Sequence, residues 1–190
     1  MDSLNTEVNK ALAVLERGGC ILYPTDTVWG LGCDATNEEA VSKIFKIKER
    51  EESKSLVILL PDVYSIFNYV ADPYPNLKNL IQHFDRPTTI IYQHAKGIAS
   101  NALPAEKSVA IRIVNEPFCK LLLERMNKPL ISTSANISGL VAPRIFTEID
   151  PIIKDRVDYI VQYRQDDHKI AKPSRIIKLD ELGNIIVIRA

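Results

Sequence analysis

The chain has 190 residues, 46% of them apolar and 25% charged, with 24 basic side chains balanced by 24 acidic ones. That length supports one hydrophobic core, so a single domain over residues 1–190 is expected. Zero formal charge argues against non-specific nucleic-acid binding as a way of life, no apolar run nears the roughly 20 residues of a bilayer span, and the polar start MDSLNTEVNK is unlike a secretory signal, which together predict a cytoplasmic protein with no membrane partner.

Leu4, Val8, Leu12 and Leu15 recur at helical spacing until Gly18 and Gly19, so the chain opens with a helix, and CILYP follows as a short strand. In TNEEAVSKIFKIKER, Thr36 or Asn37 caps a second helix, acids fill its first turn, and Val41, Ile44 and Phe45 share a face. SLVILL reads as a strand covered on both faces and closed by Pro61. Leu77, Leu80, Ile81 and Phe84 mark a helix, TTIIY and SVAIRIV two strands, and Phe118, Leu121 and Leu122 a helix opening near Pro117. PLIS is the next strand, Ile149, Ile152 and Ile153 a short helix, and YIVQY a strand. After the polar loop RQDDHKIAKPS, RIIKL and IIVIR form a closing hairpin through DELGN. The alternation predicts an α/β domain, and the hairpin adds antiparallel pairing, which makes the sheet mixed.

Cys20, Cys33 and Cys119 lack any C-x-x-C pairing and are expected as buried reduced thiols, while His83, His94 and His168 have no ligand spacing, so no residue is assigned to a metal. Gly30-x-Gly32-x-x-Ala35 matches the dinucleotide fingerprint in form only. Its helix signal begins near Asn37, and Trp29 and Leu31 look like strand residues. Lys48 falls in register with Val41, Ile44 and Phe45, where it either complements the helix C-terminus or turns inward with Arg50 and Lys54. Arg112 interrupts an apolar strand, and an arginine there needs an anionic or hydrogen-bonding partner, either a structural ion pair or a ligand. In ISTSANISG, an extended backbone puts Ser132, Ser134 and Asn136 on one face, a row of small polar groups at the end of an apolar strand.

YPTDTVWGLGCDA, KIKERxxxK and STSANISG, in that order, closely resemble the YrdC/TsaC-like L-threonylcarbamoyladenylate synthases, with VAIRIVNEPF and the PSRIIKL…VIR tail as weaker support. The resemblance spans nearly the whole chain and centres on K-x-R and S-x-N, here Lys48, Arg50, Ser134 and Asn136. It implies a twisted mixed parallel and antiparallel sheet with flanking helices enclosing a basic cavity. The activity implied is nucleotidyl transfer: ATP, L-threonine and bicarbonate give threonylcarbamoyl-AMP and pyrophosphate, Mg2+ arrives with ATP, and the product serves modification of adenosine 37 in transfer RNA, through tRNA or tRNA-modifying proteins as partners. By motif position, Lys48, Arg50, Ser134 and Asn136 are catalytic, Arg50, Lys54, Ser108, Ser134 and Arg189 bind ATP, and Thr27, Arg112 and Ser132 bind threonine. The chain departs from the family pattern at FDRPTT, residues 84–89, at Lys54-Ser55-Leu56, at Leu59 and at Ala142, changes that bear on threonine selectivity and loop geometry. Two alternatives are an RNA-binding module using the same cavity and a carbamoyl or adenylyl transferase for another small molecule.

Overall fold

In the computed structural model, which describes residues 2–51, 56–180 and 182–190, the strands join in one sheet. Along the chain come α1 (Asp2–Glu16), β1 (Ile21–Tyr23), β2 (Gly30–Gly32), α2 (Glu38–Lys48), β3 (Val57–Leu60), α3 (Ile66–Tyr69), α4 (Leu77–Gln82), β4 (Thr88–Tyr92), β5 (Val109–Ile113), α5 (Pro117–Met126), β6 (Leu130–Ser134), α6 (Pro151–Arg156), β7 (Tyr159–Ile160), β8 (Arg175–Leu179) and β9 (Ile185–Arg189). The sheet order is β7-β1-β2-β6-β3-β5-β4-β8-β9. Three pairs, β1 with β7, β3 with β5 and β4 with β8, are parallel, and the others are antiparallel, so the sheet is mixed as the sequence implies.

Local signals account for most boundaries. Asn37 caps α2 by accepting from the Ala40 amide at 3.1 Å, and α5 starts at Pro117 with the Glu116 carboxylate accepting from the Cys119 amide at 2.8 Å. YIVQY is shorter as a strand than its composition suggests: the Gln162 amide turns to the Glu7 carboxylate at 2.7 Å, which ends the ladder soon after Ile160. The short helix α3 carries no apolar period long enough to be read from sequence. Cys20, Cys33 and Cys119 are buried and unpaired.

Alternation sorts the sheet into two faces. Ile58, Leu60, Ile111 and Ile131 point to one, where Val41, Ile44 and Phe45 of α2, Ile66 of α3, Leu77 of α4 and Ile153 of α6 cover them. Ile21, Tyr23, Leu59 and Leu130 point to the other, under Val8, Ala11 and Leu15 of α1 and Phe118 and Leu122 of α5. On that second face Val57, Arg112, Ser132, Ile176 and Arg189 line a cavity instead of meeting a helix.

Candidate active site

The hydroxyl-bearing end of β6 is held between two strands. Ser132 stands opposite Val57 of β3, and Ser134 opposite Gly30 of β2. A side chain at Gly32 would not fit, and one at Gly30 would be crowded. A Cβ at Gly32 would sit 2.5 Å from the Ile131 carbonyl oxygen and 2.7 Å from the Tyr23 ring, and one at Gly30 would sit 3.2 Å from Ser132 Oγ. Gly30 and Gly32 therefore let β1, β2 and β6 approach closely, and the dinucleotide fingerprint has no structural counterpart, since both glycines lie within a strand.

The cations come from the end of α2. Glu49 takes the left-handed conformation, φ 51°, and the Arg50 amide donates back to the Phe45 carbonyl at 3.0 Å, a Schellman closure that fixes where the chain leaves the helix. Lys48 is 1% exposed and turns inward. Its Nζ donates to the Ser134 carbonyl at 2.5 Å and to the Asn136 carbonyl at 2.6 Å, with Asn136 Oδ1 at 3.5 Å. The Lys48 carbonyl accepts from the Ser138 amide at 2.8 Å. Burial, and then the Arg50 guanidinium, pull the ammonium down to about 7. Asn136 uses its amide the same way: Nδ2 donates to the carbonyls of Ile137 at 3.0 Å and Leu140 at 2.7 Å. Lys48 and Asn136 thus shape the loop that follows β6, while Arg50 faces the cavity with burial lowering its pKa.

Thr27 and Arg112 meet on the opposite wall. Arg112 Nη1 donates to Thr27 Oγ1 at 2.8 Å and lies 3.0 Å from Asp26 Oδ1. The Thr25 hydroxyl donates to the Val28 carbonyl at 2.8 Å, so in its 2.9 Å contact with Thr27 Oγ1 it must accept. Thr27 therefore spends its proton on Thr25, takes one from Arg112, and keeps one lone pair for a donor in the cavity. Arg112 is 3% exposed, and its Nε is buried with no hydrogen-bond partner among the described residues. Both readings of this arginine apply: it is half of an ion pair, and it retains an uncommitted donor.

Arg189, from the last strand, is anchored by donating to the Ser174 carbonyl from Nε at 3.1 Å and from Nη2 at 2.7 Å. Burial, then Arg112 and Arg86, lower its pKa. Thr27, Arg50, Arg112, Ser132, Ser134 and Arg189 together line a cavity of about 360 Å³, whose wall includes Asn136 and Ala142 and, among the described residues, holds three arginines and no carboxylate. A second hollow of about 310 Å³ adjoins it through Thr27 and Trp29. Ser108 is not on this wall; it opens β5 and its hydroxyl donates to Glu106 at 3.1 Å. Lys54 lies outside the described residues. Two contributors escaped the sequence reading. Asp26 stands within the quoted YPTDTV block but pairs with an arginine 86 positions away, and Ser174 stands within the quoted PSRIIKL tail but anchors an arginine 15 positions on.

The departures from the family pattern have distinct settings. Leu59 is fully buried under α1 and α5, away from the cavity wall. In FDRPTT, Asp85 pairs with Arg175 at 3.2 Å, Arg175 lies over the Phe84 ring at 5.4 Å, and the Pro87 carbonyl accepts from the Arg175 amide at 3.0 Å. That segment fastens the start of β8, next to Pro173 and Ser174 of the cavity wall. No group of three or more histidine, cysteine or carboxylate side chains among the described residues is placed to hold a metal.

Known proteins share the family and the fold. The family model Sua5/YciO/YrdC, described as telomere recombination, matches residues 13–190. The chain is 32% identical over 162 residues to a protein of Idiomarina loihiensis named threonylcarbamoyl-AMP synthase, covering 84% of this chain and 86% of that one. The same fold occurs in P. abyssi Sua5 complexed with L-threonine, at TM-score 0.84 and 22% identity, with 96% of this chain matched to 53% of that one, so the chain spans about half of its length. It also occurs in E. coli YciO, at TM-score 0.81 and 24% identity, covering 96% of this chain and 87% of the other.

Proposed function

The chain belongs to the Sua5/YciO/YrdC family, and from that membership we propose that it is an L-threonylcarbamoyladenylate synthase. The observation that carries the reading is the convergence of Arg50, Arg112 and Arg189 with the hydroxyls of Ser132 and Ser134 on one cavity that has no carboxylate on its wall among the described residues. Such a wall suits two anionic reactants. In the proposed reaction the threonine amine attacks the carbon of bicarbonate and water leaves. One carbamate oxygen then attacks the α-phosphorus of ATP, forming the mixed anhydride as the bond to pyrophosphate breaks.

Arg112 and Ser132 are assigned to the threonine carboxylate, for which the planar guanidinium offers two-point contact. Thr27, with its remaining lone pair, would accept from the substrate's hydroxyl or N–H. Arg50, Ser134 and Arg189 are assigned to the triphosphate, with Lys54 as a further ATP contact and Ser108 outside the wall. Lys48 and Asn136 are positioning residues that hold the Ser134 loop. Catalysis rests on alignment and charge neutralisation, without a covalent enzyme intermediate. Magnesium is proposed to enter bound to the ATP phosphates. The adenylate would then pass to the proteins that modify transfer RNA.

The test is incubation of the purified protein with ATP, L-threonine and labelled bicarbonate. Pyrophosphate and a labelled adenylate should form together, and Arg50→Ala should lower the rate at least about a hundredfold. Absence of both products from freshly prepared wild-type protein would overturn the assignment. Substituting serine for threonine in the same assay separates a threonine-specific synthase from a relative with another substrate.

A further inference from the structure

We propose that Asp26 is a positioning residue for the reaction: from outside the cavity it holds the Arg112 guanidinium so that Nε is the edge offered to the carboxylate of the amino-acid substrate. The inference rests on the synthase reading and adds a residue to its threonine side.

Placement separates this role from proton transfer. Asp26 is not on the wall of the cavity that Arg112 and Ser132 line; it lines two other hollows, of about 310 and 760 Å³. A carboxylate outside that wall touches no substrate atom, so it exchanges no proton with the substrate. What it reaches is Arg112. Asp26 Oδ1 lies 3.0 Å from Arg112 Nη1, and both side chains are largely buried. A buried guanidinium needs a countercharge, and one placed behind it supplies that without occupying the substrate's space.

Asp26 and Thr27 are consecutive and converge on one atom, since Arg112 Nη1 also donates to Thr27 Oγ1 at 2.8 Å. The turn that carries them is fixed locally: Thr25 Oγ1 accepts from the Thr27 amide at 2.9 Å and donates to the Val28 carbonyl at 2.8 Å. Asp26 Oδ2 accepts from the Asn115 amide at 3.5 Å, just past the end of β5, the strand that bears Arg112. With Nη1 engaged from two sides, the guanidinium plane is set and Nε is left without a hydrogen-bond partner among the described residues. Asp26 Oδ1 likewise has no aligned hydrogen bond among them, so charge at short range, and not a directed N–H, makes the pair. An amide of the same shape should therefore lose the hold.

The test compares wild type, Asp26→Asn and Asp26→Glu in the adenylate assay and in calorimetric titration with L-threonine. In Asp26→Asn the KM and dissociation constant for threonine should rise roughly tenfold or more while the KM for ATP stays within about twofold, and Asp26→Glu, which keeps the charge, should bind threonine within about threefold of wild type. A merely structural Asp26 would move both KM values together. The wild type alone gives a second readout: the Arg112 Nε–H magnetic resonance should shift when L-threonine is added and stay in place with L-threoninol, which lacks the carboxylate. The proposal falls if Asp26→Asn binds threonine like wild type, if the threonine and ATP constants move together, if Asp26→Glu does no better than Asp26→Asn, or if the Nε–H resonance ignores threonine. Failure of the wild type to form adenylate overturns the synthase reading and this inference with it, whereas unchanged threonine binding in Asp26→Asn overturns this inference alone.

Discussion

Lys48 has three acceptor oxygens within 3.5 Å and no carboxylate partner among the described residues, so it is held by carbonyl dipoles in a buried position. Its pKa falls from the ordinary 10.5 to about 7, and the unfolded chain therefore carries one more proton than the folded chain between those limits. Stability contributed through Lys48 is lowest below about pH 7 and rises as pH climbs toward 10.5, by about 1.4 kcal/mol per unit at most. Lys48→Met removes the titration, so chemical denaturation should show the wild type gaining on the variant by roughly 2 kcal/mol between pH 7 and pH 9. A pH-independent gap would contradict the burial-dominated environment. The same variant should lose synthesis chiefly through misplacement of Ser134, because its Nζ contacts that residue's carbonyl.

Strand β2 is too short to be stable by itself and works through what it lacks. With 2.5 Å between a Cβ at Gly32 and the Ile131 carbonyl oxygen, Gly32→Ala has to push β6 away from β2, and urea unfolding should show a loss of about 2–4 kcal/mol. Gly139 gives the contrast: its φ is 88° and nothing lies within 4 Å of a built Cβ, so Gly139→Ala should cost only about 1 kcal/mol, from backbone strain. Equal losses at the two positions would mean that close approach on β2 is not what selects glycine. At the far edge, β9 is exposed along its whole length yet delivers Arg189 into the cavity, because a register shift between Ile176 and Ile177 of β8 sets Arg189 opposite Ile176 and Ser174 takes its guanidinium.

Across the molecule, guanidiniums drawn from α2's exit, β5 and β9 share one hollow, and there Arg112 and Arg86 oppose the charge of Arg189, a cost that an entering anion relieves. Ligand binding should therefore be visible as stabilisation. At a hundredfold excess over the dissociation constant, ATP with magnesium should add about 2.7 kcal/mol and raise the melting temperature by roughly 5–10 °C. The shift should shrink with added salt and vanish in Arg50→Ala measured by differential scanning fluorimetry. An undiminished shift in that variant would place the nucleotide elsewhere.

Much of this protein was legible one residue at a time. Leu4 to Leu15, Val41 to Phe45 and the closing RIIKL and IIVIR pair announce their elements because helical and strand periods are local properties, and of K-x-R and S-x-N the structure brings Arg50, Ser134 and Asn136 to one cavity. What spacing does not encode is direction across the sheet. Only the tertiary structure turned the Lys48 ammonium and the Asn136 amide to the carbonyls of the loop after β6, left Ser108 off the cavity wall, paired Arg112 with Asp26, and put a further hollow behind β5. Those outcomes depend on contacts between residues up to 88 positions apart, which arise when strands distant in the chain become neighbours in the sheet.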